Sequence, residues 1–383
     1  MRLLLTWLTL CIGAASLANA QAPAAGAPLP TPPPETGPTE AGAGVEPRTS
    51  SAERPTVARA FQGGVCWVGS ANTSSLAYLV DKGVRWISVT PFGYGQEHAH
   101  QPPPAGYTHS RHRGESIAEV REVIRQARAA SLKVMLKPHI WFAGAGGWCG
   151  DIAMQNPGDW QLWFQAYRDF LDPFIDMARE EQVEIFCLGT ELGGTVAQAA
   201  WTELIAEARS RYGGQLTYAA NWYQDYDRVP FWPLLDYIGV QAYFPLTEQD
   251  DPTTEDIVAG WKRWTPALEA VATRAGRPVL LTEFGYKPVL GTTIRPWEWR
   301  SEAPLSPDAQ ARAYEAAFRA LADEEWFHGA YVWKWFSGYS GGEFGTRRRR
   351  HDNFSPQGLP AEQVMERWYR QLQPSEKRKT AEF

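Results

Sequence analysis

From Phe61 onward, eight short apolar runs alternate with longer stretches of helical periodicity, and few folds accept that arrangement. The runs cover residues 64–68, 84–91, 133–139, 183–189, 216–221, 237–243, 279–284 and 329–335. Helical patterns between or after them fall at 117–130, 160–180, 197–212, 257–275, 308–323 and 361–373. The fifth crossover, 230–235, is short and weakly helical. Parallel strands need such crossovers, so the pattern predicts an α/β protein built as a single (β/α)8 TIM barrel over residues 61–373. Gly- and Pro-rich segments at 93–114, 144–158, 287–304 and 337–358 all follow strands. They therefore crowd the C-terminal face, where barrels of this kind place their chemistry.

The rest of the chain reads differently. Arg2, the largely apolar stretch from Leu3 to Leu17 and Ala18-Asn19-Ala20 predict a signal peptide over residues 1–20, so the expectation is export to the periplasm or the medium. A lipid anchor on Cys11 fits less well, because Leu10 stands where a small residue is expected. Residues 21–60 are dominated by Ala, Pro, Gly, Thr and Glu and cannot bury enough surface to fold, so they read as a disordered linker. Residues 374–383 read as a frayed, charged tail. No second long apolar segment follows the first, which argues against an integral membrane span. The net charge of −6 disfavours a nucleic-acid partner. After signal removal Cys66, Cys149 and Cys187 remain, too few for a disulfide framework; Cys66 and Cys187, inside apolar runs, read as buried thiols, and the pairing of Cys149 stays open.

Function is read from what ends each strand. Trp67 follows the first run; Lys137, His139 and Trp141 the third; Glu191 the fourth; Asn221 and Trp222 the fifth. Gln241 and Tyr243 end the sixth, Glu283 the seventh, and Trp333, Lys334 and Trp335 the eighth. Glu191 and Glu283 each interrupt an apolar run, where an unpartnered charge is costly. Strands four and seven face one another across a barrel mouth, so two glutamates there can flank one bond. Carboxyl groups about 5–5.5 Å apart suit glycoside hydrolysis with retention of configuration. The chain also carries 18 Trp, 15 Tyr and 16 Phe, and indole faces match the apolar faces of sugar rings. Trp67, Trp141, Trp148, Trp222, Trp333 and Trp335 lie at or just after strand ends and are candidates for that surface, with Lys137, His139, Asn221 and Tyr243 as polar contacts. Trp163, Trp201, Trp261, Trp264 and Trp368 lie on helical patterns and read as packing.

Four segments add a resemblance: Gly189-Thr190-Glu191-Leu192, Thr282-Glu283-Phe284-Gly285-Tyr286, Val240-Gln241-Ala242-Tyr243, and Asn-Phe-Ser-Pro-Gln-Gly-Leu-Pro-Ala at 353–361. Together they resemble the glycoside hydrolase clan A barrels, most closely glycoside hydrolase family 113, the β-mannanases and their relatives, over nearly all of residues 61–370. The resemblance implies Glu191 as general acid/base and Glu283 as nucleophile, with Tyr243 bonded to the nucleophile. It implies Trp333 or Trp335 as the floor under the sugar. The substrate implied is a β-linked polysaccharide or oligosaccharide, with β-1,4-mannan foremost, and no cofactor is required. Many clan A enzymes carry Asn just before the acid/base; here it is Thr190, and Asn221 is a possible substitute for the 2-hydroxyl contact.

Two other classes stay open. A barrel that has lost catalysis could serve as a glycan-binding module. A metal-dependent hydrolase could use His98, His100, His109 and His112, although no metal site is expected, because strand ends supply no completing ligand shell. The run Arg347 to Arg350, beside the proposed mouth, raises the possibility of an anionic glycan. A monomer is the expectation for the assembly.

Overall fold

The computed structural model describes residues 61–95, 100–103, 106–142, 147–223, 225–341 and 353–373. The signal-peptide, linker and tail readings, His98 and the arginine run lie outside them. Eight parallel strands close a barrel: β1 (Gln62–Val68), β2 (Trp86–Val89), β5 (Lys133–Leu136), β7 (Ile185–Thr190), β8 (Gln215–Asn221), β9 (Ile238–Gln241), β10 (Val279–Phe284) and β11 (Phe327–Phe336). Strand follows strand in chain order around the ring, and β11 pairs with β1. The TIM barrel predicted from the alternation is the fold observed.

Alternation along each strand builds two cores. Cys66, Trp86, Met135, Ile185, Cys187, Ala219, Tyr237, Leu280 and Tyr331 meet inside the ring. Their neighbours Val65, Ile87, Val134, Phe186 and Leu281 point outward to the helices. Trp163, Trp201, Trp261 and Trp264 are buried in that outer layer, and Trp368 packs at its edge. Cys66, Cys149 and Cys187 are all buried free thiols.

Several local features differ from the sequence pattern, each for a physical reason. The runs at 84–91 and 133–139 do not continue as single strands. Each breaks at a proline, Pro91 or Pro138, which has no N–H to donate to a ladder. Beyond the breaks, β3 (Phe92–Gly95), β4 (Thr108–His109) and β6 (His139–Phe142) form a small separate sheet, order β4-β3-β6. The expected single helix over 257–275 is two, Thr254–Lys262 and Thr265–Ala275, with Pro266 in the first turn of the second. A helix absent from the sequence pattern, α1 (Thr73–Asp81), starts at Asn72, whose side chain caps Ser75 N at 2.9 Å. The fifth crossover is only a 3-10 turn at Trp232–Leu234.

Candidate active site

The inward positions of the strands converge at the C-terminal mouth. Continuing the inward parity of Met135, Ala219 and Tyr237 by whole pleats leads to Lys137, Asn221 and Gln241. β7 breaks its pleat: a register shift against β8 between Cys187 and Thr190, followed by the left-handed backbone of Glu191, sets that side chain on the cleft. Glu283 lies off the parity of inward Leu280, and a register shift of β10 against β9 between Leu281 and Glu283 returns it to the interior. A further shift separates two neighbouring tryptophans. Val65 pairs with Val332 but Trp67 with Trp335, so β11 carries one extra residue there. Trp333 then faces the mouth, and Trp335 is turned into the outer core against Tyr78 and Tyr339.

Glu283 sits among donors. Lys137 Nζ and Gln241 Nε2 each donate to Oε2 at 2.9 Å, and the Tyr243 hydroxyl donates to Oε1 at 2.5 Å. Lys137 is wholly buried and also reaches Gln241 Oε1 at 3.3 Å, so its charge is spent on this carboxylate. The buried carboxyl of Glu283 thus takes hydrogen bonds from a buried ammonium and two neutral donors.

Glu191 is treated in the opposite way. Asn221 Nδ2 donates to its Oε1 at 3.0 Å, and Trp148 Nε1 approaches Oε2 at 3.4 Å. No cation bonds to it among the described residues. Burial, reinforced by the negative charge of Glu283, pushes its carboxyl up to about 8. Glu191 also adopts φ +55°, a left-handed conformation that costs a non-glycine residue on the order of 1 kcal/mol or more. Its own N–H is held by Ala219 O at 2.8 Å, and the next N–H, of Leu192, by the Tyr218 hydroxyl at 2.9 Å. Tyr218 in turn donates to Asp225 Oδ2 at 3.1 Å. Buried Asp225 takes the Asn221 N–H on its other oxygen at 2.7 Å.

Both glutamates line one open cleft of about 630 Å³, mouth included, with walls of Thr90, Phe92, His139, Trp141, Gln241, Tyr243, Trp297, Trp299, Trp333 and Phe354. Of the sequence-chosen contacts, His139, Trp141, Tyr243 and Trp333 stand on this wall. Lys137 and Asn221 lie behind it, each bonded to one glutamate. Trp222 backs the wall by stacking on Trp297, with ring centres 4.9 Å apart. Trp67, whose indole donates to Gly69 O at 3.0 Å, and Trp335 are buried away from it.

Gln241 was read as a strand end but not chosen as a contact, and Thr90, Phe92, Trp297, Trp299 and Phe354 were not among the chosen residues. Trp297 and Trp299 come from the loop after β10, which Lys287 pins by donating to the carbonyls of Glu298 and Arg300. Trp299 stacks on Phe354, with Lys334 Nζ 4.3 Å above its ring centre. The signal for them was there: a Trp-x-Trp in a long loop after a barrel strand. The histidines of the second loop are scattered. His100 meets Ala153 O, His109 bonds Phe170 O and stacks on that ring, and His112 lies edge-on to Tyr94.

A sequence profile described as Glycoside Hydrolase Family 113 matches residues 61–355, most of the chain and all of the cleft. The chain belongs to glycoside hydrolase family 113. Among solved family 113 structures, a β-mannanase from Alicyclobacillus acidocaldarius is 27% identical, with TM-score 0.70 over 83% of this chain and 99% of that one. A second family 113 structure, a β-1,4-mannanase, is 25% identical, with TM-score 0.68 over 81% and 99%. A family 5 mannosidase from Rhizomucor miehei, 12% identical with TM-score 0.52 over 82% and 93%, shares the fold. No curated protein matches the chain in sequence. As a family 113 glycoside hydrolase, the protein acts on a carbohydrate. No described helix is long and apolar enough to cross a membrane.

Proposed function

We propose that this family 113 enzyme cleaves β-1,4-linked mannan or its oligosaccharides with net retention, Glu283 acting as nucleophile and Glu191 as acid, then base. The observation that carries the reading is the contrast between the two carboxyls on one cleft. Glu283 is held by Lys137, Gln241 and Tyr243, whereas Glu191 keeps its proton to about 8. An anionic attacker and a protonated partner are what double displacement requires. Glu191 gives its proton to the departing sugar oxygen as Glu283 bonds to the anomeric carbon. Now ionised, it takes a proton from the water that attacks the glycosyl ester, and Glu283 leaves as a carboxylate. Trp141, Trp297, Trp299 and Trp333 give the cleft flat apolar surfaces for sugar faces. The choice of mannan rests on the names of the two family 113 structures.

The test is a panel of β-mannan, β-glucan, β-xylan and their oligosaccharides, with product anomers followed by NMR. Mannan hydrolysis yielding the β-anomer first is expected. The α-anomer first would contradict retention, and binding without cleavage would favour a glycan-binding barrel. Export directed by residues 1–20 belongs to the same proposal, and N-terminal sequencing of protein recovered outside the cytoplasm checks it.

A further inference from the structure

Behind the acid/base lies a second group of chemistry-bearing side chains. His139 Nε2 is 3.4 Å from Cys149 Sγ, and one ligand atom each from His139, Cys149 and Glu191 lie within 4.8 Å of one another. Their sequence origins are unrelated: His139 opens β6, Cys149 starts a 3-10 turn, and Glu191 follows β7. A tetrahedral zinc ion, with bonds of about 2.0–2.1 Å to nitrogen and 2.3 Å to sulfur, separates those two ligands by about 3.5 Å. The His139–Cys149 pair already stands at that spacing. The Glu191 carboxylate needs a side-chain rotation of about an ångström to close the set.

We propose that His139, Cys149 and Glu191 form a capture site for a soft divalent cation of the zinc and cadmium class, and that an ion there disables Glu191. Imidazole, thiolate and carboxylate are the ligand types such ions take. A thiolate and a carboxylate together neutralise a divalent charge, which suits a buried site; the thiol proton, and the Glu191 proton where present, pass to solvent. His139 and Glu191 stand on the cleft wall, so an ion can enter from the substrate side and keep its fourth position open to water. Asn221 stays on Glu191 Oε1 while Oε2 turns to the ion. Lys137 is ion-paired with Glu283 at 2.9 Å. The site differs from the histidine loop that the sequence suggested for metal, and of that loop it uses nothing. Its effect on hydrolysis rests on the acid/base reading of Glu191, whereas the binding does not.

Full-length protein loaded with one zinc per chain is expected to give an X-ray absorption shell of one sulfur near ~2.3 Å with nitrogen and oxygen near ~2.0–2.2 Å. A shell with no sulfur, or with several, would overturn the site. In cadmium titrations the thiolate charge-transfer band should vanish in Cys149→Ser and persist in Cys66→Ser and Cys187→Ser; a band retained by Cys149→Ser refutes the assignment. Cadmium should suppress glycan hydrolysis by the parent reversibly with chelator, with a half-inhibitory concentration about tenfold or more higher in Cys149→Ser. Hydrolysis that continues with the band fully developed would overturn the disabling role. If the metal-free parent hydrolyses no glycan while the band still maps to Cys149, the capture site stands and the proposed function falls.

Discussion

Asn221 reaches from the end of β8 to Glu191 at the end of β7, placing Nδ2 3.0 Å from Oε1, and its own backbone is fastened to Asp225 at 2.7 Å. Tyr218 joins the same anchor to the residue after Glu191. The unusual backbone of Glu191 and the amide that orients its side chain thus share one buried carboxyl.

Tyr218→Phe and Asp225→Asn are expected to misplace the proton donor while leaving the nucleophile alone. Small displacements of a catalytic group cost about 10²-fold. For substrates with poor leaving groups, kcat/KM should fall ~10–100-fold, with little change for dinitrophenyl glycosides, whose departure needs no proton. Equal losses on both substrate types would mean a general structural defect.

The pH profile follows from the same residue. In the proposed mechanism Glu191 must be protonated to cleave, and its carboxyl is pushed up to about 8, so kcat/KM in chelated buffer should decline as pH rises through that region. In Glu191→Gln, assayed on an activated substrate, this basic limb should be absent. Its persistence would assign the limb to another group.

That raised value is also a statement about stability. The folded state keeps a proton on Glu191 that the unfolded chain releases near 4.5. The group's contribution is therefore complete below 4.5 and is lost as pH rises through about 8. Glu191→Gln should match the parent at acid pH and surpass it at pH above 8 by roughly 2–5 kcal/mol, measured by denaturant unfolding in chelated buffer. A variant less stable than the parent at alkaline pH would contradict the cost assigned to this carboxylate.

The eight strands and both glutamates were legible because parallel strands read as unbroken apolar runs, and an acid at the end of such a run stands out. What could not be read was side-chain direction past an irregularity. One extra residue in β11 against β1 separates Trp333 on the cleft from Trp335 beneath it, and one shift in β10 turns Glu283 inward. Trp297, Trp299 and Phe354 come from loops shaped by contacts such as Lys287 with Glu298, which strand periodicity does not encode. The closeness of His139 and Cys149 depends on the small sheet beyond Pro138 and was likewise invisible.

The tryptophans separate wall from core. Trp299→Ala should raise KM for oligosaccharides several-fold with a small change in stability, because its half-buried ring borders the cleft, whereas Trp297→Ala should raise KM and also cost stability, because its ring is buried against Trp222. Trp335→Ala, which empties a fully buried site, should instead cost about 3–5 kcal/mol of folding stability. Unfolding curves and oligosaccharide kinetics on the three variants check the division; a KM effect confined to Trp335→Ala would reverse it.

The most direct measurement is to trap the glycosyl-enzyme. Incubation with a 2-fluoro β-mannoside bearing an activated leaving group, followed by proteolysis and mass spectrometry, should place one fluoromannosyl group on the peptide at Glu283. Glu283→Gln should remain unlabelled. A label on Glu191 or on any other residue, or brisk turnover of the natural substrate by Glu283→Gln, would contradict the assignment of the nucleophile.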